Sequence, residues 1–276
     1  MLKAQINGKN ALIYVDTGAP VSCIDESKSR VFGLGMLSFE NRTPVNVNAN
    51  GENHRVTVIS RMVIADLRLD NTPAVLIDFR EINHALRAGR DRPNDMILGL
   101  EALTEMNAVI DFTTPQILVK TGSGKANIGS VLKSEGWSEI PIRLNEGHLV
   151  VDAKVGKAPL QVVVDTGSPT SVLNRSFCNA HSIPLTSRVF SSRGIHFQDS
   201  SVQIGRAPTL KIGSSYTINQ LPVAVFNLEG LLGLARNSSD PIPEGLLGCE
   251  TLVRNRALID CGNMKLYLNH PDHSER

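Results

Sequence analysis

Two Asp-Thr-Gly triplets contain the residues of this sequence that could act chemically as a pair. Asp16 begins the first and Asp165 the second, and each follows a short apolar run, ALIYV at 11–15 and LQVVV at 160–164. A run of this kind predicts a buried β-strand, so each carboxyl group would emerge at the end of a strand. Two carboxyl groups held at short range share one proton, because both cannot ionise there.

Such a pair could hydrolyse an amide without a metal ion. One carboxylate would take a proton from water while the other carboxyl, protonated, polarises the substrate carbonyl, and the titration would belong to the pair. Thr17 and Thr166 could form hydrogen bonds across the interface between the two turns. Gly18 and Gly167 would leave backbone N–H groups close to the carboxylates.

The residue after each triplet differs, Ala19 in the first and Ser168 in the second. A hydroxyl at 168 could donate a hydrogen bond to the Asp165 carboxylate and favour its charged form. Ala19 offers nothing equivalent to Asp16. We therefore predict that Asp165 is the more acidic carboxyl of the two.

An internal repeat gives the triplets their significance, since a single Asp-Thr-Gly is a weak signal and its Asp could be an ordinary turn or cap residue. Asp16 and Asp165 lie 149 positions apart, and so do Gly99 and Gly248. The second pair lies in MILGLEALTEMNAVIDF at 96–112 and GLLGCETLVRNRALIDC at 245–261, which resemble each other. Two separate blocks in one register predict a duplicated fold of roughly 120 residues per copy.

The boundary between the copies is expected in a linker at 121–136, which opens with the Gly/Ser-rich stretch TGSGKANIGS. Lobe 1 is then 1–120 and lobe 2 is 137–276. Lobe 2 has an extra leading strand, EIPIRL at 139–144, whose counterpart would precede residue 1. Either lobe 1 lacks that strand, or the sequence begins inside a longer protein, which would also explain why no signal segment is visible.

The predicted fold class is all-β, with two homologous β-barrel lobes related by a pseudo-two-fold axis. In lobe 1, VNVNANGENHRVTVISRMVI at 45–64 alternates apolar residues on both sides of a turn sequence, which predicts a hairpin. In lobe 2 the same place falls on IHFQDSSVQI at 195–204. Short helices are expected after Gly99 and Gly248, where apolar residues lie about one turn apart.

These features together resemble the retropepsin-like and pepsin-like aspartic peptidases. The shared pattern is an apolar pair with Asp-Thr-Gly-Ala/Ser, then a hairpin, then an apolar pair with Gly and a short helix. This chain shows the pattern twice, over nearly its full length, and ILGLEALTEMNAVIDF is similar to the retropepsin form. The resemblance implies that Asp16 and Asp165 are the catalytic dyad and that the 45–58 hairpin is a flap over an extended peptide.

The resemblance also implies supporting and substrate-binding roles. The residues expected to support the catalytic turns are Thr17, Gly18, Thr166, Gly167 and Ser168. Those expected in the flaps are Asn48, Ala49, Asn50, Gly51, Gln198 and Asp199. The first tip lacks the tyrosine typical of pepsins, and the second hairpin could be a second flap or a blunted one. Because both lobes lie in one chain, the expected form is a monomer with an intramolecular pseudo-dimer, with no metal and no cofactor.

Composition excludes several other classes. Lys and Arg total 28 and Asp and Glu total 27, so the net charge of +1 gives no reason to expect nucleic acid or an anionic membrane as a partner. No apolar run reaches the roughly 18 residues of a membrane span. The four cysteines form no C-x-x-C pair, so a structural zinc site is not expected. Free thiols are favoured, although a pairing of Cys249 with Cys261 stays open.

Two functions from different classes fit these observations. The first is an aspartic endopeptidase that binds an extended peptide by β-type backbone pairing. The second is a peptide-binding module on the same fold with little or no turnover, because a fold does not determine a function. Both aspartates and both threonines are present, which favours the enzyme, and the balance of charges predicts a mildly acidic optimum. The compartment stays open, and an extracytoplasmic location would require an upstream signal segment.

Overall fold

The computed structural model describes residues 1–35, 55–81, 83–84, 92–119, 128–194, 197–228 and 241–269, and for residues 187–194 and 197–200 it describes the backbone only. No helix within these ranges is long and apolar enough to cross a membrane.

Lobe 1 contains a closed six-stranded barrel. Its strands are β1 (Leu2–Ile6), β2 (Lys9–Val15), β3 (Cys23–Asp25), β4 (Arg55–Ile64), β5 (Leu67–Ile77) and β6 (Met96–Leu98). Around the barrel the order is β1-β2-β6-β3-β5-β4, and pairing of β1 with β4 closes it. Inward-pointing side chains of alternate residues, such as Ile13, Ile24 and Ile59, are completely buried. The period-two pattern of the strands therefore builds one apolar interior.

Lobe 2 repeats this barrel with the same connectivity. Its strands are β10 (Arg143–Asn145), β11 (His148–Val155), β12 (Ala158–Val164), β13 (Val172–Asn174), β14 (Leu185–Gly194), β15 (Phe197–Ile212), β16 (Tyr216–Phe226) and β17 (Gly245–Leu247). The order is β10-β11-β12-β17-β13-β16-β15-β14, and β15 also pairs with β11. That pairing closes six strands into a ring equivalent to the ring of lobe 1. The predicted all-β fold of two homologous lobes is confirmed.

A sheet shared by both lobes joins them. Its strands are β7 (Val109–Asp111), β8 (Gln116–Leu118), β9 (Ser138–Pro141), β18 (Leu258–Asp260) and β19 (Lys265–Leu268), in the order β8-β7-β18-β19-β9. Ile110 of β7 lies opposite Ile259 of β18, its counterpart in the repeat. The pseudo-two-fold axis therefore passes through this pair. In an antiparallel sheet the register determines which residues lie opposite each other. Pairing between strands of the two lobes therefore fixes the orientation of one lobe against the other.

The helices are short. They are α1 (Ser29–Phe32), preceded by a 3₁₀ turn at Glu26–Lys28, then α2 (Leu100–Glu105), α3 (Gly129–Ser134), α4 (Arg175–Ala180) and α5 (Cys249–Arg254). The two helices predicted after Gly99 and Gly248 are present as α2 and α5. Helices α1, α3 and α4 were not predicted.

The segment predicted as a linker has structure in its later part. Residues 120–127 lie outside the described part of the chain, whereas residues 129–134 form α3. Ile128 and Leu132 pack against a cluster of Trp137, Leu258 and Tyr267 beside the shared sheet.

The extra leading strand predicted at 139–144 is present but divided between two sheets. β9 pairs with β19 in the shared sheet, whereas β10 pairs with β11 in the sheet of lobe 2. Ile142 lies between them, and its N–H donates to the Met264 carbonyl at 3.0 Å. One apolar run thus connects the shared sheet to the second barrel.

The four cysteines are free thiols, so Cys249 and Cys261 are not paired. Cys23, Cys178 and Cys261 are buried, and Cys249 is half-buried. Burial raises the pKa of the Cys23 and Cys261 thiols to about 12. These thiols are therefore protonated side chains of the core at neutral pH.

Candidate active site

The two aspartates stand in equivalent places at the end of equivalent strands. Asp16 follows β2, and its N–H donates to the carbonyl of Leu98 at 3.0 Å. Asp165 follows β12, and its N–H donates to the carbonyl of Leu247 at 3.1 Å. Leu98 and Leu247 belong to the two apolar pairs that precede Gly99 and Gly248, so the second conserved block of the repeat holds the first in position.

Thr17 and Thr166 exchange hydrogen bonds across the lobe interface. Each threonine hydroxyl accepts the backbone N–H of the other threonine at 3.0 Å. The Thr17 hydroxyl donates to the Val164 carbonyl at 2.7 Å, and the Thr166 hydroxyl donates to the Val15 carbonyl at 2.9 Å. Both side chains are buried. This reciprocal set of four bonds, which we call the threonine bridge, ties the two Asp-Thr-Gly turns together.

Gly18 and Gly167 place each turn against the carboxyl group of the other lobe. The Gly18 N–H donates to Oδ1 of Asp16 at 2.8 Å, and the Gly167 N–H donates to Oδ1 of Asp165 at 2.8 Å. A Cβ atom at Gly18 would overlap the Asp165 carboxyl, and one at Gly167 would overlap the Asp16 carboxyl. Glycine is therefore required by the close approach of the two turns.

We expect Gly167→Ala to lower the free energy of unfolding by about 1–3 kcal/mol, because the added methyl must displace the Asp16 carboxyl or separate the turns. Urea denaturation at pH 7 measures this change. Gly35→Ala is the matched control, since no atom of the described residues beyond its chain neighbours lies within 4 Å of its added Cβ. Equal unfolding midpoints for the two variants would contradict the predicted close approach.

Burial is the largest influence on both carboxyl groups. It raises the pKa of Asp16 and of Asp165, and the negative charge of Asp16 raises the pKa of Asp165 further. Hydrogen bonds from the backbone oppose these effects in part. The pair therefore retains one proton near neutral pH and titrates as a unit. Among the described residues, no group of three His, Cys, Asp or Glu side chains is placed to hold a metal ion.

The prediction that the Ser168 hydroxyl makes Asp165 the more acidic carboxyl is wrong. That hydroxyl donates to the carbonyl of Thr170 at 2.8 Å and not to the carboxylate. The bond from Ser168 to Asp165 comes from its backbone N–H, at 3.0 Å. A serine hydroxyl can donate to a nearby backbone carbonyl, here that of Thr170, and the sequence did not reveal this competing partner.

Ser22 and Ser171 support the site but were missed in the sequence. Their hydroxyl oxygens accept the N–H groups of Gly99 and Gly248, each at 3.0 Å. Both serines are buried. The signal was available, because the two serines are 149 positions apart, in the same register as the aspartates.

The first turns of α2 and α5 complete this support. The Leu100 N–H donates to the Ala19 carbonyl, and the Cys249 N–H donates to the Ser168 carbonyl, both at 2.8 Å. Unpaired N–H groups at a helix start are thus satisfied by the Asp-Thr-Gly turns. The short helix after each apolar-apolar-Gly element therefore acts as a backbone anchor for its Asp-Thr-Gly loop.

An apolar cluster lies beside each turn, separate from the barrel interior. The lobe 1 cluster contains Cys23, Val75, Ile77, Phe79 and Ile97, with Tyr14, Ala19 and Val21 packed against it. The lobe 2 cluster contains Val150, Val163, Val172, Val202, Ala224, Phe226, Leu228 and Leu246. Six residues of the lobe 1 cluster, its five buried members and Tyr14, correspond to residues of the lobe 2 cluster at the repeat offset. The two clusters are therefore nearly equivalent in position within their lobes.

The expected flap residues are described only in part. Asn48, Ala49, Asn50 and Gly51 lie outside the described residues, and β4 covers the arm that follows them. In lobe 2, β14 and β15 form an antiparallel pair in which Gly194 lies opposite Phe197. Gln198 and Asp199 are in β15 of this hairpin, opposite Arg193 and Ser192.

Comparison with known proteins agrees with this architecture. The family model described as "Aspartyl protease" matches residues 2–102 and again residues 151–251, so its two matches keep the 149-residue offset. The chain therefore belongs to the aspartyl protease family, as a two-lobed, retropepsin-like member. No curated protein matches it.

Solved structures with a related fold include two of different size. A retropepsin-like aspartic protease from Rickettsia conorii is 19% identical, and the match covers 49% of this chain and 90% of that one, with a TM-score of 0.33. Basic 7S globulin from soybean is 11% identical over 97% of this chain and 90% of its own, with a TM-score of 0.48.

Proposed function

We propose that this protein is an aspartic endopeptidase in which Asp16 and Asp165 form the catalytic dyad. The observation that supports this most strongly is a pair of carboxyl groups, raised in pKa by burial, held in equivalent turns by the threonine bridge. One carboxylate takes a proton from a water molecule as its oxygen attacks the amide carbon. The protonated carboxyl polarises the carbonyl oxygen, and the amine leaves after receiving a proton from the dyad.

The residues around the two carboxyl groups suit this chemistry because they hold each carboxyl in a fixed orientation. Each Oδ1 accepts a backbone N–H within its own turn, and each carboxyl packs against the glycine of the other turn. Groups that are already oriented do not have to reorganise during the reaction. Thr17, Thr166 and Ser168 support this arrangement through the backbone bonds described above.

The substrate that we propose is an extended peptide. Asn48, Ala49, Asn50 and Gly51 in lobe 1, and Gln198 and Asp199 in lobe 2, would bind its backbone as flaps. A strand-like peptide in a groove alternates its side chains between two sides. The apolar clusters beside the two turns favour apolar substrate side chains on both sides of the scissile bond.

We further propose that the active form is a monomer. Lobe 1 (1–120) and lobe 2 (137–276), joined by the segment 121–136, would each supply one aspartate, so no second chain is needed to complete the dyad. The five-stranded shared sheet supports this proposal, because strands of both lobes pair within it.

The test is cleavage of a mixed peptide library from pH 3 to 8 by the unmodified chain and by Asp165→Asn. Cleavage by the unmodified chain alone, with a mildly acidic optimum, is the expected result. Resistance to metal chelators should accompany it. Retention of peptides without turnover at any pH would contradict the proposal and favour a peptide-binding module. Size-exclusion chromatography of the active fraction tests the monomer.

A further inference from the structure

His148 lies beside the dyad although it belongs to neither Asp-Thr-Gly turn. It begins β11, in which Val150 pairs directly with Val163 of β12. Extending this antiparallel register by two residues, beyond the end of β12, would place His148 opposite Asp165. Residues two apart in a strand share a face, so His148 is on the face of Val150, which belongs to the lobe 2 apolar cluster. His148 is only 3% exposed.

The turn before His148 also contacts the first catalytic turn. A Cβ atom at Gly147 would lie 3.0 Å from Cβ of Pro20, so the Gly147 backbone packs against the Pro20 side chain. Pro20 follows Ala19 in the Asp16 loop, and its carbonyl accepts the Glu101 N–H at 3.3 Å. The start of β11 is therefore wedged between the loop of Asp16 and the end of the strand that leads to Asp165.

The charge of His148 acts on Asp16 from this place. A positive imidazole lowers the pKa of Asp16, against the larger effect of burial. Other ionisable groups of the described elements around it are Glu146, exposed on the same turn, and Arg143, which is ion-paired with Asp152 on the exposed side of β10 and β11. On the lobe 1 side, Glu101 and Asp16 both raise the pKa of the Cys23 thiol.

We propose that His148 is a positioning residue of the dyad, whose imidazolium holds Asp16 as the ionised carboxylate and so assigns the proton to Asp165. Asp16 is then the general base and Asp165 the general acid. The assignment rests on the proposed peptidase function, but the coupling between His148 and Asp16 does not.

The pH dependence of cleavage tests the role in the reaction. In His148→Gln, the acidic limb of kcat/KM should move up by roughly half to one pH unit, because the dyad loses the charge that favours its first ionisation. The alkaline limb should stay, because a histidine of ordinary pKa is neutral at that pH. His148→Arg should keep the acidic limb and move the alkaline limb down. His181→Gln, at an exposed histidine after α4, is the control. An acidic limb that does not move in His148→Gln overturns the proposal.

Histidine titration by NMR tests the coupling without any cleavage. If the charges interact, the interaction is reciprocal, so Asp16→Asn should lower the pKa of His148 by the same half to one unit. Asp165→Asn should lower it less, because Asp165 holds the proton. This measurement leaves His148 intact, so misfolding of a His148 variant cannot obscure it. Equal His148 pKa values in the three proteins overturn the proposal. A shift in a protein that cleaves nothing supports the coupling and contradicts only the peptidase function.

Discussion

Asp165→Asn is expected to reduce peptide cleavage by about 10³-fold or more, and to make the protein more stable at pH 7. Activity is lost because the asparagine amide cannot hold or release the shared proton. Since the two carboxyl groups act as a unit, replacing one of them abolishes the function of both. Asp16→Asn should have an effect of the same size. Initial rates on a cleaved library peptide at the pH optimum measure both.

The gain in stability follows from the direction of the pKa shifts. Burial raises the pKa of both carboxyls in the folded chain. Below the pKa of aspartate in the unfolded chain, near 4, the two carboxyls are protonated in both the folded and the unfolded chain, so they do not lower the free energy of unfolding. As the pH rises above that value, the unfolded chain ionises freely while the folded chain resists, so folding stability falls until the pH passes the folded pKa. Asparagine does not ionise, so the Asp165→Asn variant avoids the part of this loss of stability that comes from Asp165.

Thermal unfolding from pH 3 to 8 measures the effect. The Asp165→Asn variant should match the unmodified chain near pH 3 and exceed it by about 1–2 kcal/mol at pH 7. Asp66→Asn, at an exposed carboxylate in the β4–β5 turn, is the control and should change little at either pH. A stability difference that is the same at pH 3 and pH 7 would show that the aspartate does not titrate abnormally.

Removing one hydroxyl from the threonine bridge is expected to cause a large loss of stability. Thr17→Val keeps the volume of the side chain but removes two hydrogen bonds, one to the Val164 carbonyl and one from the Thr166 N–H. Both backbone groups would stay buried and unpaired, at roughly 1–3 kcal/mol each. The free energy of unfolding should fall by about 2–5 kcal/mol, and cleavage should fall with it because the turns are no longer tied together.

The Thr17→Ser variant distinguishes the contribution of the hydroxyl from that of the methyl group. Serine restores both hydrogen bonds and loses one methyl group, so it should recover most of the stability, to within about 1 kcal/mol. Thr166→Val and Thr166→Ser should behave in the same way because the bridge is reciprocal. Thr114→Val, at an exposed threonine after β7, controls for the substitution itself. Unchanged thermal midpoints in both valine variants would show that the bridge does not hold the lobes.

Sequence periodicity alone was enough for the strands that lead to the site and for the two anchor helices. The apolar runs before Asp16 and Asp165 are β2 and β12, and the elements after Gly99 and Gly248 are α2 and α5. These predictions succeed because burial on one or both faces requires a repeating choice of residue type. Helix α3 and the division of 139–144 into β9 and β10 were not predicted, since both depend on the shared sheet against which they pack.

By itself the sequence determined that two equivalent carboxyl groups exist, because the 149-residue offset relates Asp16 to Asp165 and each follows an apolar strand. Only the tertiary structure decided how these groups differ. The Ser168 hydroxyl donates to a carbonyl instead of to Asp165, and Gly147, the residue before His148, packs against Pro20 in the loop of Asp16. The physical reason is that repeats encode symmetry along the chain, whereas a pKa depends on charge, burial and hydrogen bonds that distant residues bring together only in the folded protein.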